Sequence, residues 1–290
     1  LGLFSLLVVS CSSCGSPDKT ADAPAAPAGN DDATPPATGP TTKPSDPAPP
    51  PAPTPPSAPT PPAALACMAG YYVGTPVSSG SSWSLKLPDG TLVPWDDGKT
   101  KTYDEALADP DLQDMLSIPY TTGPIAPDTT LNLDPGRIRN DVLSKATFGG
   151  SAADVMAKLV DVDFVGQTVK FHPRAATALG NVSTKLKALV AATPSLGAYV
   201  TGSLGGTFNW RVIAMTNRMS PHSYAIAIDV VVAKSNYWEW DTPMKWTNQI
   251  PQAIVDAFES EGFVWGGRWY HYDTMHFEYR PELFDPKCKP

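Results

Sequence analysis

The chain has 290 residues and a formal net charge of −8, and it carries no basic stripe, which argues against nucleic acid as a partner. Its 33 prolines and its aromatic residues are segregated along the chain, so an unfolded stretch followed by one folded domain is expected. No apolar run approaches the ~20 residues that would cross a bilayer.

The opening "LGLFSLLVVSCSSCGSP" has an apolar run, Leu3 to Val9, followed by small residues and Cys11. It resembles the core of a bacterial secretion signal. "VVSC" further resembles a lipobox, in which Cys11 becomes the lipidated first residue; the plainer alternative is a signal peptide cut between Ser10 and Gly15. No Met or basic segment precedes the run, so the start reads as truncated. Residues 1–14 are assigned to targeting, and Cys14 is given no role.

Residues 15–65 hold 17 of the 33 prolines, mixed with Ala, Thr, Ser and Asp, and no aromatic residue. Without large apolar side chains such a stretch cannot offset the entropy of ordering. Its prolines favour extended polyproline II, a semi-rigid tether reaching roughly 150 Å at ~3.1 Å per residue. Residues 66–290 are then enough for one sizeable core. Within them lie two cysteines, Cys67 and Cys288, one near each end. In the oxidising compartment of an exported protein, a Cys67–Cys288 disulfide is expected. Closing so long a loop would stabilise the fold by ~4 kcal/mol in the chain-entropy model.

Residues 70–135 are rich in Gly, Pro, Asp and Thr, with "LPDGTLVPW" reading as a hairpin or turn. "SAADVMAKLV" reads as a short helix and "VDFVGQTVKFH" as strand with an internal turn. In "RAATALGNVSTKLKALVAA", Leu179, Val182, Leu186 and Leu189 recur at helical spacing, the clearest amphipathic helix of the chain. "GAYVTG" and "NWRVIAM" read as short strands, and "AIAIDVVV" as a strand with an acid inside it. "IPQAIVDAFESEG" is a second helix with Pro251 in its first turn and Gly262 as its stop; "HFEYR" is a last strand. The irregular alternation and the lack of a Gly-rich phosphate loop predict a compact α+β domain, a small antiparallel sheet flanked by helices.

Asp229, inside that apolar strand, needs a partner, because an unpaired buried carboxylate is very costly. An arginine such as Arg211 or Arg218 would serve, and so would a metal. His222 lies in the loop leading into the strand, where its side chain can converge with that of Asp229. In "DTMHFE", a turn brings Asp273 and His276 to one cavity, and His276 and Glu278 share a strand face. His222, Asp229 and His276 thus make a two-imidazole, one-carboxylate set of a kind zinc accepts while keeping a position for water. Asp273 remains as general base on that water. By spacing alone the set is only moderately specific, since each histidine taken singly is more often structural. The tryptophans Trp238, Trp240, Trp246, Trp265 and Trp269 fit either a cleft wall or the core.

"SPHSYAIAID" followed by "GFVWGGRWYHYDTMHFEYRPEL" resembles the zinc D-alanyl-D-alanine carboxypeptidases, a family that also includes enzymes cutting L-Ala–D-Glu bonds in peptidoglycan stems. Its patterns S-x-H-x-x-G-x-A-x-D, W-G-G-x-W and D-x-x-H-F-E match at Ser220, His222, Ala227 and Asp229, then at Trp265 to Trp269 and Asp273 to Glu278. The similarity extends upstream through "GTFNWRVI" and "DPGRIRN". The resemblance implies the Hedgehog and D,D-peptidase type of fold, with zinc held by His222, Asp229 and His276 and Asp273 as base. It puts Arg211 on the substrate and the oxyanion, with Ser220 within the site or capping its loop and Glu278 behind His276 or another ligand. Arg218 is a further candidate behind the ligands or on substrate, and Trp269, four residues from Asp273, is the best of the tryptophans for a cleft wall. One departure is visible: Ala225 stands where the family has Gly, and its methyl would crowd the strand or force φ below zero. His271 reads as a rim residue and His172 as structural.

The implied protein is an exported, monomeric zinc peptidase of the cell envelope, acting on peptidoglycan stem peptides and touching the membrane only through a lipid on Cys11. Removal of a terminal D-Ala is the first expectation and L-Ala–D-Glu cleavage the second. A non-catalytic wall-binding domain is the rival from another class.

Overall fold

The computed structural model describes residues 59–289. The targeting segment with Cys11 and Cys14, and nearly all of the proline-rich stretch, lie outside the described residues.

Helix α1, Ala63–Tyr71, begins inside the stretch assigned to the tether and buries Ala64, Leu65 and Met68. Its Cys67 is bonded to Cys288. A three-stranded antiparallel sheet follows: β1, Thr75–Ser79; β2, Ser82–Lys86; and β3, Leu92–Pro94. "LPDGTLVPW" makes the β2–β3 turn, where Gly90 takes φ +90°. Helix α2, Tyr103–Ala108, starts on a reciprocal cap in which Thr102 accepts from the Glu105 amide and Glu105 accepts from the Thr102 amide. Helix α3, Asp141–Phe148, is capped by Asn140, and α4, Ala152–Met156, by Ser151.

The predicted strand with an internal turn is the hairpin of β4, Val160–Phe164, and β5, Gln167–Phe171. The amphipathic helix is α5, Pro173–Ala192, with Pro at its first position and Ala175, Leu179, Val182 and Leu186 buried along one stripe. Two strand expectations fail. "GAYVTG" is mostly the short helix α6, Gly197–Val200, because a turn starting at Pro194 runs on into i→i+4 bonding closed by Thr201 N–H onto the Gly197 carbonyl. "NWRVIAM" folds back on itself with only the Val212–Met219 bridge, since exposed Val212 has no buried face to join.

A four-stranded antiparallel sheet carries the candidate site. Its strands are β6, Leu204–Gly206; β7, Ala227–Val231; β8, Phe263–Trp265; and β9, His276–Tyr279, in the order β6-β7-β9-β8. Helix α7, Gln252–Glu259, precedes β8, with Pro251 as its cap residue rather than in its first turn. Strand alternation sorts the sheet into two faces. Phe277 packs its ring 3.9 Å from that of Phe258 on α7, so this face is apolar and covered by helix. The other face carries Asp229 directly opposite His276 and Ala227 directly opposite Glu278. The domain is α+β, as the sequence predicts, with its strands divided among three antiparallel sheets.

Candidate metal centre

His222 sits in a single 3₁₀ turn, Pro221–Tyr224, opened by Ser220, whose Oγ accepts the His222 amide at 3.3 Å. The turn ends at Ala225, which adopts φ +50° and ψ +42° and is fully buried. The expectation of a negative φ there is therefore corrected: the backbone keeps the left-handed conformation that favours glycine, at a cost of about 1–2 kcal/mol. That reversal aims His222 back across the start of β7.

Three donor atoms meet there. His222 Nε2 lies 3.1 Å from Asp229 Oδ1 and 3.2 Å from His276 Nδ1, and His276 Nδ1 lies 3.0 Å from the same Oδ1. Zinc ligands at about 2.0–2.1 Å in tetrahedral array stand about 3.3 Å apart, so this nearly equilateral triangle has the size of a zinc face. Two other acidic or sulfur groupings exist among the described residues. One is closed by the Cys67–Cys288 bond beside Asp285; the other, Asp96, Asp97 and Asp111, is met by Lys101 at 3.1 Å from Asp97 and 3.5 Å from Asp111.

Around the triangle, charges do not balance. Asp229 is penalised by burial, but His222 and His276 hold its carboxyl well below the usual range. Asp273 has a solvent-shielded Oδ1 without a hydrogen-bond partner among the described residues. Burial first, and then the charge of Asp229, push it up to about 7 against the opposing pull of His276 and Arg137. Burial opposes a proton on His276, but its hydrogen bonds to Asp229 and Glu278 override that and raise it to about 9. With both imidazoles neutral, as metal ligands are, Asp229 and Asp273 leave a negative excess that a divalent cation would neutralise. The residues thus fit zinc by donor type, spacing and charge.

The glycines of "WGGRW" have a steric reason. A Cβ on Gly266 would sit 2.5 Å from the Asp273 carbonyl oxygen, and one on Gly267 would enter the Trp265 ring at 2.1 Å. The segment holding Asp273 therefore lies flat on the turn after β8, fixed by Asp273 N–H onto the Gly266 carbonyl at 2.9 Å. Trp269 is buried, with its Nε1 on the Pro135 carbonyl and its ring 5.6 Å from that of His276. Trp265 is likewise core, whereas Trp240 is exposed.

Behind His276, Glu278 is completely buried and lies 3.5 Å from its Nε2. Arg139 grips Glu278 through Nε and Nη2. Burial opposes ionisation of Glu278, and the Arg139 charge with its hydrogen bonds overrides it. Such a carboxylate fixes the ring's orientation and tautomer.

The other expected site residues fall differently. Arg211 braces the His222 turn through its backbone, accepting from Ser220 N–H and donating to Ser223 Oγ. Its side chain is exposed, and its only hydrogen bond among the described residues goes to the Val212 carbonyl at 3.5 Å. Arg218 is half-buried. His271 gives its Nδ1 to Asp134 at 2.6 Å, and His172 caps α5 with Nε2 against the Phe148 carbonyl. Sequence reasoning assigned no role to Asp134, Arg137 or Arg139. Arg137 pairs with Asp134 at 3.1 Å, lies over the Trp269 ring at 5.6 Å and acts on Asp273. The signal was the pair of arginines flanking buried Ile138 in "GRIRN", but Glu278, the partner of Arg139, lies 139 residues away in sequence.

The family model for D-alanyl-D-alanine carboxypeptidase matches residues 214–279, a span that holds His222, Asp229, Asp273 and His276. Arg211 and "DPGRIRN" fall outside it. No curated protein and no solved structure matches the chain.

Proposed function

We propose that this chain is a zinc-dependent peptidase of the cell envelope that removes the terminal D-Ala from peptidoglycan stem peptides. The observation that carries the reading is the 3.0–3.2 Å donor triangle of His222, Asp229 and His276 beside a carboxylate with a free, shielded oxygen. The family match over the same residues supports it.

When bound, zinc would act as a Lewis acid, polarising the scissile carbonyl and acidifying water. His222 Nε2, His276 Nδ1 and Asp229 Oδ1 would hold it, and Glu278 with Arg139 keeps the His276 ring from rotating. Asp273 Oδ1 takes the proton of the attacking water and returns it to the leaving amine, the two halves of one general acid–base role. The unpartnered Oδ1 suits that role because no existing hydrogen bond to that oxygen must break first. The same feature weighs against a wall-binding domain with a structural metal, which would close its fourth position and leave no spare acid.

The test is incubation of the chain with defined stem peptides, read by mass spectrometry with and without a chelator. Loss of a single terminal alanine residue that stops with chelator and resumes with zinc is the expected result. Fragments ending in L-Ala would move the reading to the L-Ala–D-Glu endopeptidase, and an intact peptide mixed with zinc-loaded protein would end it.

A further inference from the structure

Three guanidinium groups gather where the chain enters α3, and only two are paired. Arg139 is taken by Glu278 and Arg137 by Asp134. Arg218 has no carboxylate within ion-pair distance among the described residues, and its Nη1 is shielded from solvent with no hydrogen-bond partner. Burial, then the charges of Arg139 and Arg137, lower it to about 10. Nearby polar groups are already engaged: the Tyr103 hydroxyl donates to Asp134, and Asp141 Oδ2 accepts the Met219 amide at 3.0 Å.

A half-buried cation facing two others is unfavourable unless an anion joins them. Its place says which anion. Arg218 is four residues ahead of His222, and Arg137 lies on Trp269, whose ring neighbours that of His276. Arg137 also acts electrostatically on Asp273. Through Arg137 and Trp269, the arginine cluster thus reaches the donor triangle. Planar guanidinium forks match the two oxygens of a carboxylate. Arg211, which the family resemblance places on substrate, has its exposed side chain turned to its own neighbour's carbonyl.

We infer that Arg218, with Arg137 beside it, is the specificity-determining clamp for the free C-terminal carboxylate of the peptide substrate. The inference rests on the peptidase reading and deepens it, since a clamp for a terminal carboxylate makes the enzyme exo-acting.

The experiment uses the full chain loaded with zinc and two probes: a stem pentapeptide ending in D-Ala-D-Ala and the same peptide as its C-terminal carboxamide. Wild type should favour the free acid by about 100-fold in kcat/KM, chiefly through KM. Arg218→Met should remove that preference by slowing cleavage of the free acid far more than that of the carboxamide, and Arg218→Lys should restore part of it. Equal cleavage of both peptides by wild type overturns the clamp and leaves the peptidase standing. Equal slowing of both by Arg218→Met also overturns it, because a merely structural loss acts that way. If wild type cuts neither, the peptidase reading falls and calorimetry decides the clamp. Tighter binding of the acid by wild type than by Arg218→Met supports it; equal binding overturns it.

Discussion

Strand β9 runs between two buried polar regions built on opposite principles. At its far end, Arg280 places Nε on Glu282 and Nη1 on the Gly136 carbonyl, and Tyr72 donates to the same Glu282 at 2.8 Å. With Arg139 on Glu278, two cations meet two carboxylates there, and the region is neutral within itself, although Arg280 Nη2 lacks a hydrogen-bond partner among the described residues. At the near end, His276 joins a cluster that, with its imidazoles neutral, has a surplus of negative charge, and Asp273 Oδ1 finds no hydrogen-bond partner among the described residues. Both regions are largely buried, although the Asp229 side chain keeps some exposure. The difference teaches that burial of charge alone does not mark a functional site; imbalance does, because a balanced cluster is finished and an unbalanced one awaits something from outside.

The sharpest way to break the comparison is His222→Ala. Zinc content measured by atomic absorption should fall below one per chain and hydrolysis should reach background, with unfolding little changed. A variant that keeps stoichiometric zinc would remove the triangle from consideration. Next comes Asp273→Asn, which should keep the metal while kcat drops by about 10²–10⁴. Full activity in that variant would show that the unsatisfied oxygen is incidental. Arg280→Met should do the reverse: chemical denaturation should show a loss of about 3–5 kcal/mol, while activity per folded molecule holds.

A smaller effect concerns His172, buried in the apolar layer under α5. Burial lowers it to about 4, against the hydrogen bond from its ring to the Phe148 carbonyl. Since the unfolded chain takes up this proton near 6.5, its contribution is complete above that pH and is lost as pH falls toward 4, amounting to about 3 kcal/mol. His172→Gln should flatten that part of the stability–pH curve and leave zinc binding untouched. The smallest effect is Ala225→Gly, expected to raise stability by about 1 kcal/mol by relieving a positive φ. No gain would mean that the turn around His222 relaxes with the methyl in place.

How much of this was legible in advance follows the range of each interaction. Periodicity located α5 and the β4–β5 hairpin because their patterns are local. The convergence of His222 with Asp229 could be foreseen from one loop and one strand, and that of Asp273 with His276 from a single turn. By contrast, "GAYVTG" has strand-forming residues but is carried into a helix by the turn before it. The pairing of Arg139 with Glu278 had no local trace, and neither did the outward turn of Arg211, which the motif alone places on substrate. Charge balance is a property of the assembled interior, so the imbalance around Arg218 became visible only with the fold.

The Cys67–Cys288 bond has a mechanical consequence. Its two residues are 221 positions apart, and it joins the first helix to the last turn. Tension applied between the two ends of the described chain runs through that covalent link, and the intervening loop carries none of the load. All four strands of the sheet that carries the donor triangle lie inside that loop, so a pull across the ends cannot unzip them.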